Sequence, residues 1–216
     1  EMDLRPTMAQ NEALYRVLAL LEASHYEFKT YAFDLERVLG PGSVGNAAPQ
    51  DTGDGAPDMA RFFTFFPDPA LAQFLFTAVE HGRIRFLLRQ RYPGAWRLAR
   101  PWLEEEAARI WTAARPDPIL FQWYRRFGLG TAEDWQEGVP ETAMAGIERL
   151  ARQAEAAWRQ DPSVESGARF LYKDVWQWVV EWIDGLTPSR GPARVPSTPF
   201  GRGLWPELVY AGFFKE

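Results

Sequence analysis

A chain of 216 residues, 46% hydrophobic and 25% charged, is long enough for one sizeable core and too apolar to be mainly disordered. It has no cysteine, which excludes disulfides, zinc ribbons, thiol catalysis and iron–sulfur ligation, and its net charge of −5 argues against general nucleic-acid binding. Ten Trp, fifteen Phe and seven Tyr supply enough ring surface for a large core, or for a core plus an apolar groove.

The chain start lacks a basic segment leading into an apolar run, so no signal peptide is expected, and no stretch approaches the roughly 18 apolar residues of a membrane span. With no cysteine, the expected compartment is the cytoplasm. The first periodic signal comes early. Leu14, Leu18, Leu21, His25, Phe28, Ala32, Leu35 and Leu39 follow one another in steps of four and three, the seam of a helix that presents one stripe to a partner. The spacing predicts a long N-terminal helix within residues 1–39, capped by Asn11 and ended by Gly40, about 40 Å long at 1.5 Å per residue. Tyr15, Val17, Leu20, Tyr31, Phe33 and Val38 widen its apolar face, so more than one neighbour is expected.

Glu22 and His25 stand three apart on that helix, the spacing of a carboxylate–histidine metal pair in helical di-iron proteins. The motif occurs once, because the other histidine, His81, directly follows Glu80, and adjacent side chains on a helix point in different directions. A metal- or haem-dependent helical oxidase built on Glu22 and His25 is therefore the alternative, and a histidine packed in the seam the main reading.

Residues 40–58, rich in Gly and Pro, read as a flexible loop that cannot bury enough surface to offset its ordering entropy. Residues 59–186 read as a helical core. Asp68 before Pro69 and Asp117 before Pro118 are cap-plus-proline helix starts, and the two Pro-Asp-Pro segments recur 49 residues apart, as good caps or as a repeat of helix pairs. Thr131–Asp134 resembles a further cap, and another helix begins at Pro140.

Between these starts lies an arginine-rich stretch. Arg83, Arg85, Arg89, Arg91, Arg97 and Arg100 have no acidic residue among them, and Arg85 and Arg89 share one helical face. Guanidinium pairs of this kind clamp carboxylates or phosphates, so Arg83, Arg85, Arg89 and Arg91 are candidate partner-binding residues; ion pairs with Glu104, Glu105 and Glu106 are the plainer use. The glycine clusters at 40–45 and 128–130 follow no strand and make no phosphate loop.

The last helix is apolar nearly all round, through Phe170, Leu171, Val175, Trp176, Trp178, Val179, Val180, Trp182 and Ile183. Trp178 and Trp182 share a face and are the second pair of candidate binding residues, although aromatic clusters at this spacing more often form core. Asp174 and Glu181 are a carboxylate pair that general acid–base work would need, and surface charge explains them equally. Residues 187–216 read as a Pro-rich strap and an apolar docking tail.

No segment alternates apolar and polar, and Val, Ile and Thr are sparse. The expected fold is all-α, one helical domain over residues 1–216 with about six to eight helices. The expected function is a non-enzymatic helical binding protein, adaptor- or chaperone-like, that holds an acidic or amphipathic segment of a protein partner. A structural subunit of a larger complex is a further alternative. No cofactor is expected unless the Glu22–His25 pair holds one, and the pattern leaves the oligomeric state undetermined.

Overall fold

Residues 6–41, 57–114, 118–130, 139–179 and 182 are described by a computed structural model, and among them there are eight α-helices and no strand. Among the described residues, no helix is long and apolar enough to cross a membrane. The expected strap at 187–216, most of the expected loop at 40–58, the Asp117 cap and the 131–134 cap lie outside the described residues.

Helix α1 (Met8–Glu27) is the long N-terminal helix. Its cap is Thr7, whose hydroxyl accepts from the Gln10 amide, while Asn11 sits one turn inside and donates to the Thr7 carbonyl at 3.0 Å. The helix stops at Glu27 instead of running to Leu39. Phe28 caps it, and Lys29 turns into the left-handed region at φ 59°, after which Thr30–Ala32 make a single 3₁₀ turn. Beyond the break the seam position Ala32 is exposed, whereas α2 (Leu35–Leu39) turns inward again, burying Leu35 and Val38, and ends on Gly40 at φ 96°. Asp34 caps α2 by accepting from the Arg37 amide, and its own amide donates to Glu165.

Helix α3 (Asp58–Phe63) packs next to α2, with the Asp58 carboxylate accepting from the Leu35 amide at 3.1 Å. Then comes α4 (Pro69–Arg91), started by Asp68, which accepts from the Leu71 amide at 3.0 Å, with Pro69 at the first helical position. This is the central helix. It is buried on nearly every side from Leu71 to Leu88, against α1, α3, α5 (Pro93–Ala114), α6 (Pro118–Tyr124), α7 (Glu141–Gln160) and α8 (Val164–Phe170).

Both α6 and α8 continue into π-helical turns, Arg125–Leu129 and Leu171–Val175. The first of these meets α4 where Gly82 stands, and a Cβ there would lie 2.7 Å from the Phe127 carbonyl oxygen. Only glycine lets the two backbones approach so closely. One apolar cluster runs from Val17 on α1 to Val179 beyond α8, with Trp123, Trp158, Phe62, Phe76, Phe121 and Phe127 fully enclosed.

Candidate functional site

The break after α1 creates the most distinctive site. Because the chain turns at Lys29, Thr30 reaches α4, where its hydroxyl donates to the Glu80 carboxylate. Arg83, one turn along, donates to the same carboxylate through Nε at 2.7 Å and through Nη2. Its remaining contacts reach outward: Nη1 to the Pro162 carbonyl at 2.7 Å and Nη2 to the Phe28 carbonyl at 3.1 Å and the Thr30 hydroxyl at 3.3 Å. Arg83 thereby caps the end of α1 and ties it to the approach to α8.

His25 lies 3.1 Å from the same Thr30 hydroxyl through Nδ1. Thr30 has one hydrogen, and it is donated to Glu80, so Thr30 accepts from His25; Nδ1 carries the proton and Nε2 is the acceptor. The His81 ring lies 5.5 Å from the His25 ring, tilted by 51°. Burial first, then the charge of Arg83, lowers the His25 pKa to about 3. His81 also falls to about 3 through burial and the neighbouring His25, against the opposite pull of Glu80. Both imidazoles are neutral at physiological pH.

Several of these groups border a cleft of about 260 Å³. Thr30, His25, Glu80, His81 and Thr77 are its polar lining, Phe33, Phe76 and Met59 its apolar lining, and Tyr31 and Asp58 also line it. Asp58 is engaged by Arg61 at 3.2 Å as well as by the Leu35 amide.

The residues singled out in the sequence are placed as follows. His25 is buried in the seam, 3% exposed, bonded to Thr30, whereas Glu22 accepts from the Tyr31 hydroxyl at 2.9 Å. The pair is divided between two partners. Among the described residues, no group of three or more His, Asp or Glu side chains could hold a metal ion. The four arginines do not form one surface. Arg83 is 1% exposed, and Arg85 is 4% exposed and meets Glu155 at 3.3 Å, while Arg89 and Arg91 are exposed and Arg91 meets Glu27 at 3.1 Å. Arg100 does pair with Glu104, at 2.7 Å. Trp178 is buried and stacks on Trp123 at 5.8 Å and 22°, with Trp182 half-buried 6.2 Å beyond it.

Sequence reasoning missed Thr30, Glu80 and the meeting of the two histidines. The available signal was a cluster of polar residues, Glu80, His81 and Arg83, inside a helix otherwise too apolar to face water. Glu80 and His81 do point differently, but a helix buried all round lets both border one cleft. Comparison with protein-family models, with curated proteins and with solved structures gives no match.

Proposed function

We propose that the chain is a non-enzymatic helical binding protein, adaptor- or chaperone-like, whose cleft beside His25 and His81 seats a large apolar or aromatic side chain of an amphipathic partner segment. The cleft carries this reading. Its size is just below the ~300–1,000 Å³ of drug-sized sites, which suits one or two side chains rather than a whole helix. Its apolar lining of Phe33, Phe76 and Met59 suits a buried anchor, the kind of contact that dominates protein interfaces. Its polar lining is engaged within the protein, since Thr30 and Glu80 bond each other and both bond Arg83 behind them, so it offers orientation more than charge. The inward placement of Arg83 shifts the weight from an acidic segment to an amphipathic one.

The reading is tested by filling the cleft. Thr77 is buried on α4 and borders it, so Thr77→Phe occupies the space from within. In fluorescence anisotropy against a panel of synthetic amphipathic peptides carrying a central Trp, the parent protein is expected to bind members of the panel. The variant should bind them about tenfold more weakly, a loss of roughly 1.4 kcal/mol. A parent that binds none of the peptides, or a variant that binds as well as the parent, overturns the reading.

A further inference from the structure

One turn along α4 from His81, Arg85 and the more distant Arg159 share a single acidic group. Arg85 packs against Gly130, so closely that a Cβ there would come 1.5 Å from its Nη1, and Gly130 itself has φ +69°. The Nη2 of Arg85 meets Glu155 Oε1 at 3.3 Å, and Arg159 meets the other oxygen of the same carboxylate at 3.7 Å. Arg89 follows Arg85 by one turn on α4, and Arg126 comes from the π-helical turn. Burial, then the charges of Arg89 and Arg126, outweigh the pull of Glu155 and bring the Arg85 pKa down to about 10. Among the described residues, the Glu155 carboxylate is shared by two guanidinium groups, those of Arg85 and Arg159.

The donors are also in excess. Among the described residues, the Nε of Arg85, the Nε of Arg126 and the Nε1 of Trp158 are all buried without a hydrogen-bond acceptor. Trp158 belongs to the same junction, because its ring reaches Gly82, one turn before Arg85. Buried donors are nearly always satisfied, and three left over beside a surplus of guanidinium charge call for an acceptor-rich anion. The floor is closed by Arg85, while the Arg159 side chain, 60% exposed, leaves the outer side open to solvent.

We propose that this junction of α4, α7 and the Arg125–Leu129 turn is a second binding site, which takes a phosphate or carboxylate group between Arg85, Arg89, Arg126 and Arg159. The fork of a guanidinium matches the paired oxygens of either group. The site lies along α4 from the cleft, with Arg85 one turn past His81.

The test is a titration of ¹⁵N-labelled protein with inorganic phosphate, with succinate, and with sodium chloride at matched ionic strength. The Nε–H signals of Arg85 and Arg126 and the indole N–H of Trp158 are expected to shift and saturate with phosphate, with succinate or with both. The responding anion identifies the source as a phosphate-bearing or a carboxylate-bearing ligand. Arg89→Gln with Arg126→Gln, at one exposed and one half-buried position, should fold as the parent does and bind the anion at least about tenfold more weakly. Thr77→Phe, about two turns back along α4 from Arg85, should bind it unchanged. Equal shifts with chloride, no response to either oxyanion, or undiminished affinity in the double variant overturns the proposal.

Discussion

Arg83 shows how much one side chain does in this molecule. It is almost wholly enclosed, and its three nitrogens reach a carboxylate on its own helix, the last carbonyl past α1, the Thr30 hydroxyl and the Pro162 carbonyl. A methionine at this position fills similar space but strands Glu80 as a buried charge. Removing one partner of such a pair costs about 3–5 kcal/mol, because desolvation of the remaining ion is then uncompensated. Arg83→Met is therefore expected to lower stability by that amount in urea unfolding, and Arg83→Met with Glu80→Leu by clearly less. Equal losses in the single and double variants would contradict a coupled pair. This cluster was hard to see in the sequence for a simple reason. Thr30 and Glu80 are 50 positions apart, and Arg83 and Pro162 are 79 apart, so no local spacing rule joins them. Glu22 and His25 did have a suggestive spacing, yet the chain beyond them turned and supplied each with its own partner.

At the scale of elements, the end of α1 is decided by backbone conformation rather than by hydrophobic pattern. The four–three rhythm continues past Glu27 because Leu35 and Leu39 also pack on the body, but it carries no information about direction, and the chain bends at Lys29 and leaves the seam position Ala32 exposed. A lysine at φ 59° is strained in a way glycine is not. Lys29→Gly is expected to leave stability unchanged or raise it by up to about 1 kcal/mol, although glycine is ordinarily the costlier residue. A thermal melt decides this, and a clear fall would show that the lysine side chain has work of its own. Gly82→Ala should act in the opposite direction. Its methyl meets the Phe127 carbonyl at 2.7 Å and the edge of Trp158 at 2.9 Å, and the first of these contacts is backbone. Overpacking of this kind costs about 1–3 kcal/mol, measurable as a lower urea midpoint. Other elements were legible from chemistry alone. Asp68 with Pro69 begins α4, and Pro140 directly precedes α7, because cap residues and a fixed proline φ act within a few positions. Asn11 was misplaced as a cap because Thr7, one turn earlier, offers the same kind of oxygen.

For the whole molecule, the buried histidines set the acid limit of the fold. In an unfolded chain each would titrate near 6.5, whereas in the folded protein each titrates near 3. Between those values the unfolded state takes up protons that the native state refuses. Stability is thus complete above about pH 6.5 and drains away as the pH falls toward 3. Each histidine contributes close to a tenfold change in the folding equilibrium per pH unit, so the pair contributes up to roughly a hundredfold. Urea midpoints measured from neutral to acid pH should fall on this schedule, and His81→Gln should flatten the fall. A midpoint that is flat over the range would mean that the imidazoles charge without unfolding the chain. The all-α class was readable at this scale, since composition and the absence of alternating segments are properties of the entire chain. The cleft was not, because a cavity belongs to the space between elements and leaves no mark in any one of them.

The stacking of Trp178 on Trp123 has an optical consequence. Two indoles held 5.8 Å apart and nearly parallel couple their electronic transitions, and the coupled pair gives circular dichroism that neither ring has alone. One ring comes from α6 and the other from the segment after α8, so the signal survives only while those segments remain together. The protein therefore carries its own gauge for detachment of the segment that holds Trp178, readable without a dye or label.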